Sequence, residues 1–183
     1  MHGVVTVLVE PHYAQVEQLW QGLRQRFGVG NPKATAVPHF SYHISPEYDI
    51  DTLKQILAET AFSTPPFTVK TTGIGIVPGE APVVYLPVAR TPELQALHNV
   101  LWPRLQSIAQ GNAPQSTYYA ASNWFPHITL GHGDINADNL GHIVTWLNAQ
   151  SLAWEIQVTN LTLLYDKGDG SPHIPLQRAE LQG

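Results

Sequence analysis

The chain has 183 residues and a mass of 20.2 kDa, and its hydrophobic fraction of 43% is that of an ordinary globular protein. It has no cysteine, which excludes disulfides, thiolate chemistry and cysteine metal sites, and its net charge of −5 with scattered lysines and arginines excludes the basic stripe needed to bind an extended nucleic-acid duplex. No segment approaches the roughly 20 apolar residues that span a bilayer, and no secretory signal is visible, so we expect one cytoplasmic, monomeric domain over residues 1–183 without membrane contact.

The first third of the chain predicts a strand, a helix, a second strand and a second helix. A β-branched run forms the first strand. Pro11 begins a helix whose apolar residues recur at helical spacing, and Asp49 or Asp51 caps the second helix. The second strand alternates apolar and polar residues, so one face is apolar and the other is chemically rich. These elements span residues 4–9, 11–27, 37–45 and 49–61.

The rest of the chain continues with strands and helices. An extended segment, residues 67–77, is interrupted by Gly73 and Gly75. These glycines lack the spacing and the following lysine of a phosphate-binding loop, so they indicate a strand bend or bulge. Beyond them the pattern predicts a strand, a helix, a polar loop, a strand, a helix that begins at Asp134 or Asn136, and two further strands. These segments are, in order, residues 83–88, 91–108, 111–122, 124–132, 134–147, 154–165 and 173–181.

The order of the elements repeats. Strand, helix, strand and helix occur in residues 4–61 and again in residues 83–149. We therefore divide the domain into two half-repeats, approximately residues 1–62 and 82–150, followed by C-terminal strands in residues 153–181. A pseudo-two-fold axis between the halves would bring the second strand of one half beside that of the other, at a shared cleft.

Both of these second strands carry one four-residue pattern of proline, histidine, any residue and a hydroxyl. It reads Pro38-His39-Phe40-Ser41 in the first half and Pro126-His127-Ile128-Thr129 in the second. Alternate residues of a strand share a face, so each histidine and its hydroxyl lie on one face, roughly 6 to 7 Å apart along the chain. Phe125, Ile128 and Leu130 are assigned to core-facing positions.

Two histidines and two hydroxyls in one cleft suit chemistry at a phosphodiester. A neutral imidazole can take a proton from the attacking oxygen while an imidazolium gives one to the leaving oxygen. The hydroxyls can donate hydrogen bonds to nonbridging phosphoryl oxygens and so stabilise charge that develops in the transition state. The sequence does not decide which histidine is the acid.

The two motifs, at this separation and in this order of strands and helices, resemble the paired signature of the two-histidine (2H) phosphoesterase superfamily, which includes 2′-5′ RNA ligase-like proteins and cyclic nucleotide phosphodiesterases. The resemblance implies an α+β fold, a bilobal pseudo-two-fold domain whose two antiparallel sheets face a central cleft, with helices on the outside. It implies RNA-processing chemistry without metal or cofactor at 2′,3′-cyclic phosphates or 2′-5′ linkages of nucleotides or RNA ends, as hydrolysis or its reverse, ligation. Carried over by position, His39 and His127 form the acid–base pair, and Ser41 and Thr129 bind the phosphate.

Further residues are candidates for lining the cleft. His43 begins a second His-x-Ser pattern on the predicted face of His39. His39 is favoured as the catalytic residue because it alone follows a proline, and because Pro46 indicates that the strand ends near Ser45. His132 can contact a base or ribose, or lie in an exposed loop. Tyr85 and Trp124 can stack on a base, or pack in the core. The histidines assigned to surface or packing are His2, His12, His98, His142 and His173.

Two other functions stay open from the sequence. A metal site would use His39, His43, His127 and His132, but on a strand the first two rings are separated by roughly 13 Å, too far to share a zinc ion. A binding module with little turnover would keep the same cleft for a nucleotide or an RNA end. The motifs do not encode the physiological substrate, its base, or the direction of the reaction.

Overall fold

The computed structural model describes residues 1–30, 37–111, 118–169, 171 and 173–183. Within these ranges, helices pack on antiparallel sheets, which confirms the predicted α+β class. The helices are α1 (His12–Phe27), α2 (Ile50–Phe62), α3 (Pro92–Ile108) and α4 (Ala137–Asn148). In the described part of the chain, none of them has the length and apolar character needed to cross a membrane.

The strands alternate with these helices along the chain. They are β1 (His2–Val7), β2 (His39–Ser45), β3 (Glu47–Tyr48), β4 (Phe67–Lys70), β5 (Gly75–Val77), β6 (Val83–Pro87), β7 (Ala109–Gln110), β8 (His127–Gly131), β9 (Glu155–Val158), β10 (Asn160–Tyr165) and β11 (Ile174–Glu180). Of the predicted polar loop over residues 111–122, residues 112–117 lie outside the described residues.

Local capping sets the ends of the helices. The Asp49 side chain accepts a hydrogen bond from the backbone N–H of Thr52 at the start of α2, and Asn136 accepts one from Asn139 at the start of α4. These residues, rather than Asp51 and Asp134, are therefore the caps. α1 ends at Gly28, whose φ of 69° is the left-handed conformation that glycine adopts most readily.

Two larger sheets form the body of the domain. Sheet 1 has the strand order β11-β10-β1-β2, and sheet 2 has the order β5-β6-β8. The β4–β9 pair extends sheet 2 through a bridge between Thr71 and Val88, and β3 pairs with β7 separately. Within the described residues, β2 and β8 are edge strands of their sheets, and they lie against each other. The two histidine-bearing strands therefore meet where the sheets meet.

The helices are exchanged between the two sheets. α1 connects two strands of sheet 1 but packs on β8 of sheet 2, and α3 connects two strands of sheet 2 but packs on β2 of sheet 1. α2 packs on α3, β10 and β11, and α4 packs on α1. One continuous apolar core results, because each sheet is covered by a helix that begins in the other.

Each histidine-bearing strand has a bulge at the same place. In β2, Ser41 and His43 pair with consecutive residues of β1, so Tyr42 is an extra residue. In β8, the extra residue is Leu130, which directly follows Thr129. A bulge interrupts the alternation of faces, so side chains beyond it no longer follow the pattern set before it.

The single long strand predicted over residues 154–165 is wrong, because two strands in different sheets occupy this segment. β9 pairs with β4, whereas β10 lies between β1 and β11 in sheet 1. Asn160 stabilises the point where the chain passes from β9 to β10. Its side-chain Oδ1 accepts a hydrogen bond from the N–H of Val7 at 3.1 Å, and its Nδ2 donates to the Val7 carbonyl at 2.8 Å. This buried amide satisfies the backbone of β1 just beyond the last residue that pairs with β10.

Candidate active site

A cavity of about 490 Å³ is lined by residues of both histidine-bearing strands. Its wall contains His39 and Ser41 from β2, and His127 and Thr129 from β8. The volume lies within the range typical of sites for small molecules. Two motifs that are far apart in the sequence therefore meet around one space.

The two histidines are held in the same way. The Nδ1 of His39 donates a hydrogen bond to the carbonyl of Val37 at 2.6 Å, and the Nδ1 of His127 donates to the carbonyl of Phe125 at 2.8 Å. A carbonyl oxygen can only accept, so Nδ1 carries the proton in both rings. In a neutral ring Nε2 then has a free lone pair, and no described residue hydrogen-bonds to Nε2 of either histidine.

The surroundings lower the pKa of both imidazoles. Burial lowers the pKa of His39 to about 4, and the charges of His173 and His127 act in the same direction, whereas the hydrogen bond to Val37 opposes them. Burial also lowers the pKa of His127, against its hydrogen bond to Phe125. Burial therefore favours the neutral form of both imidazoles, and its effect on the pKa is large for His39.

Ser41 and Thr129 are also held alike. Neither side-chain hydroxyl hydrogen-bonds to another described residue, so both can donate to a ligand. Their backbone carbonyls each accept a hydrogen bond from an indole N–H, from Trp124 to Ser41 at 2.8 Å and from Trp20 to Thr129 at 3.1 Å. Since β2 and β8 are edge strands, the indoles satisfy carbonyls that no neighbouring strand reaches, and they fix the backbone at both hydroxyls.

His43 does not line the cavity, contrary to the prediction. The bulge at Tyr42 turns His43 toward the core, where it is 1% exposed, and brings Ile44 to the cavity wall instead. In the core, the Tyr48 hydroxyl donates to Nδ1 of His43, and Nε2 donates to the Gln106 side chain at 3.3 Å. His43 is therefore a hydrogen-bonded core residue.

Of the two aromatic residues considered for stacking on a base, neither is on the cavity wall. Trp124 is 1% exposed and stacks on His98 with ring centres 3.9 Å apart. Tyr85 is buried, and its ring centre lies 5.1 Å from that of His127. Phe125, which the strand pattern assigned to the core, lines the cavity instead, because it precedes His127 by two residues and shares its face.

The cavity wall carries three further histidines. His132, a candidate for lining the cleft, lies on the wall, and so do His2 and His173, to which the sequence assigned surface or packing positions. The Nε2 of His173 is 3.9 Å from a carboxylate oxygen of Asp166, and its ring centre is 6.2 Å from that of His39. No local pattern could have indicated His173 or Asp166, because the pairing of β10 with β1 and β11 brings them to the cavity.

Histidine dominates the polar lining of the cavity. Among the described residues, no lysine or arginine is on its wall, and no group of three His, Cys, Asp or Glu is placed to hold a metal ion. Positive charge for an anionic ligand must therefore come from imidazolium groups, whose charge increases as the pH falls, and from the terminal ammonium of Met1, which is also on the wall.

Two antiparallel sheets that bring a repeated histidine and hydroxyl pattern to one cleft define a protein of the two-histidine phosphoesterase class. The chain belongs to the 2′-5′ RNA ligase superfamily, whose family profile matches residues 6–170. Membership gives the chain a phosphoesterase-like or ligase-like enzymatic function.

Solved structures with the same fold align over the whole chain. TT0787 of Thermus thermophilus aligns with a TM-score of 0.67 at 17% identity, over 100% of this chain and 98% of that one. E. coli LigT in its apo form aligns with a TM-score of 0.62 at 21% identity, over 100% and 97%. LigT complexed with 3′-AMP aligns with a TM-score of 0.58 at 21% identity, over 100% and 98%. At these identities the similarity concerns the fold. No curated protein matches the chain significantly.

Proposed function

We propose that the protein is a metal-independent phosphoesterase that acts on the 2′,3′-cyclic phosphate or the 2′-5′ phosphodiester of a nucleotide or an RNA end. One observation carries the proposal. His39 and His127 lie on facing edge strands, and each holds its Nδ1 proton on a backbone carbonyl and leaves Nε2 available at one cavity. Two imidazoles presented in this way suit general acid–base catalysis at a group bound between them.

The strong lowering of the His39 pKa supports one division of the two roles. Burial lowers that pKa to about 4, so His39 stays neutral as the pH falls well below 7 and is the base in hydrolysis, and His127 is the acid. The Nε2 of His39 takes a proton from water as the water oxygen bonds to phosphorus. The bond from phosphorus to the 2′- or 3′-oxygen breaks, and the Nε2–H of His127 protonates that leaving oxygen. The hydroxyls of Ser41 and Thr129 donate to the nonbridging oxygens.

The same groups can ligate RNA ends, which is the reverse of cleaving a 2′-5′ linkage. When the 5′-hydroxyl of a second RNA end replaces water, attack on the cyclic phosphate forms a phosphodiester, and the proton transfers are unchanged. Cleavage of that linkage exchanges the roles of the two histidines. The structures of E. coli LigT complexed with 3′-AMP, ATP and NADP+ support a nucleotide as the ligand of this fold.

The proposal predicts a bell-shaped pH profile that is displaced to acid pH. kcat/KM falls as the pH drops through about 4, where His39 gains a proton and ceases to be a base. It falls again as the pH rises through the pKa of His127, which burial places below 6.5, because the acid is then lost. The optimum of kcat/KM therefore lies below neutral pH, and a flat profile would contradict the pairing.

Hydrolysis of the four 2′,3′-cyclic mononucleotides and a 2′-5′-linked dinucleotide, in excess EDTA, tests the proposal. His39→Ala and His127→Ala should each lower turnover by about 10²- to 10⁴-fold. His142→Ala is the control, because His142 is an exposed histidine on α4 outside the cavity wall. The position of the new phosphate identifies the oxygen that leaves.

The other outcomes are equally informative. Turnover that EDTA abolishes and a divalent metal restores would show a metal enzyme. Turnover that survives in either site variant would remove that histidine from the mechanism. Nucleotide binding by the unmodified protein without turnover of any substrate would show a binding module.

A further inference from the structure

The cavity wall carries one well-exposed aromatic ring. Of the Phe, Tyr and Trp side chains on the described wall, Phe125 is 40% exposed, whereas Tyr119 is 7% exposed and packs on His43 and Tyr118. Folding has therefore left an aromatic face at the cavity and has not buried it. A flat apolar face of this kind suits stacking by a nucleobase, since every base has a π-face.

A buried ring supports Phe125 from behind. The ring of Tyr85 meets that of Phe125 edge-on, with centres 5.6 Å apart and planes at 81°, which is a favourable aromatic geometry. Tyr85 occupies space that only a glycine leaves open, because a Cβ at Gly75 would lie 2.2 Å from the tyrosine ring. The exposed ring is thus held by packing.

The same residue lies next to the proposed acid. The Phe125 and His127 ring centres are 6.2 Å apart, with planes at 26°, and the Phe125 carbonyl holds the Nδ1 proton of His127. The ring is therefore fixed relative to the group that would protonate the leaving oxygen.

We propose that Phe125 is the platform on which the base of the substrate stacks, so that the cavity selects cyclic phosphates of nucleosides over cyclic phosphates without a base. This inference rests on the proposed function. The arrangement places the nucleoside on the β8 side of the phosphate. In a 2′,3′-cyclic nucleotide the leaving oxygen belongs to that nucleoside, so it faces His127, and the opposite side, next to His39, is left for the attacking water or 5′-hydroxyl.

The test compares substrates that differ only in the base. 2′,3′-cyclic AMP and 2′,3′-cyclic CMP are compared with methyl riboside 2,3-cyclic phosphate, which keeps the sugar and the phosphate ring and carries a methoxy group in place of the base. The proteins are the unmodified chain, Phe125→Ala and Phe125→Trp. Phe62→Ala is the control, because Phe62 is 70% exposed at the end of α2 and is not on the cavity wall.

We expect Phe125→Ala to lower kcat/KM for the two nucleotides by about 5- to 150-fold, mainly through KM, with the larger loss for the purine. The base-free substrate should be hydrolysed equally well by this variant and by the unmodified chain, since the backbone carbonyl that holds His127 is retained. Phe125→Trp should keep the preference for nucleotides, and Phe62→Ala should change nothing. Equal losses of kcat/KM for all three substrates in Phe125→Ala, or no loss, would overturn the inference that Phe125 is the platform.

Binding of 3′-AMP, measured by calorimetry on the same proteins, separates this inference from the proposed function. Binding that depends on Phe125, without turnover of any substrate, supports the platform and overturns the proposed function. Turnover without a dependence on Phe125 overturns the platform alone. If the unmodified protein shows neither turnover nor binding, both the platform and the proposed function are overturned.

Discussion

The two histidine-bearing strands hold their functional side chains in the same way, but the residues around the two histidines differ. In both β2 and β8 the histidine holds its Nδ1 proton on the carbonyl two residues before it, an indole supports the carbonyl of the hydroxyl residue, and a bulge follows. Beside His39, however, lies His173, which is 3.9 Å from a carboxylate oxygen of Asp166, whereas beside His127 lie the rings of Tyr85 and Phe125.

The shared features serve catalysis at the phosphate, and the different surroundings serve recognition of the rest of the substrate. The repeated features fix two proton-carrying groups and two donors around one phosphate, and that task is symmetric. The surroundings are asymmetric because a nucleotide has different ends. A titratable environment beside one histidine changes its pKa, and an aromatic environment beside the other offers a stacking surface. The following substitutions test each part.

Among the substitutions considered next, removal of either hydroxyl should have the largest effect, and the two effects should be equal. Ser41→Ala and Thr129→Ala each remove a donor to a nonbridging oxygen, and each should lower kcat by about 10²-fold. Steady-state kinetics on one cyclic nucleotide checks this. A loss confined to one of the two hydroxyls would show that the phosphate is bound by one strand only.

Gly75→Ala should disturb the β8 side alone. The new Cβ displaces Tyr85, whose ring contacts both Phe125 and His127, so kcat/KM should fall by about tenfold, less than the 10²-fold that a misplacement of 1 Å can cause. The acid limb of the pH profile, which reports His39, should not move.

Gly141→Ala is the matched control, because a Cβ there meets no atom within 4 Å. Equal losses in both glycine variants would rule out the role assigned to Tyr85.

His173→Gln should have the smallest effect, on the β2 side. The charge of His173 lowers the pKa of His39, as does that of His127. The other titratable groups on the wall are those of His2, His132, Asp166 and Tyr119 and the terminal ammonium of Met1. Without His173 the pKa of His39 rises, so the acid limb of kcat/KM should move to higher pH, by less than about one unit.

The alkaline limb, which reports His127, should stay in place in this variant. His142→Gln serves as the control. An acid limb that stays in place, or one that moves to lower pH, would show that His173 does not act on His39.

The sequence could predict features that depend on local pattern. The spacing of apolar residues gave the four helices, and the repeated pattern around His39 and His127 indicated two strands with equivalent side chains. Extrapolation along a strand failed at the bulges, because one extra residue reverses the faces beyond it. His43 was assigned to the cleft for this reason. Alternation alone places Phe125 on the face of His127, so the prediction that Phe125 faces the core is wrong.

Features that depend on long-range pairing were not accessible from the sequence. His173 and Asp166 reach the cavity only through the pairing of β10 with β1 and β11. Where residues 154–165 divide into two strands, the buried amide of Asn160 hydrogen-bonds to the backbone of Val7, near the other end of the chain. Local residue preferences cannot indicate such a partner.

The exchange of helices between the sheets also governs how the protein folds. Sheet 1 joins two strands from the beginning of the chain to two from its end, and each sheet is covered by a helix that starts in the other. Sheet 1 cannot be completed until β10 and β11 have been synthesised, so folding requires contacts between distant parts of the chain and is slow for a protein of this size. Because the two sheets share one continuous core, they should unfold together in one cooperative transition.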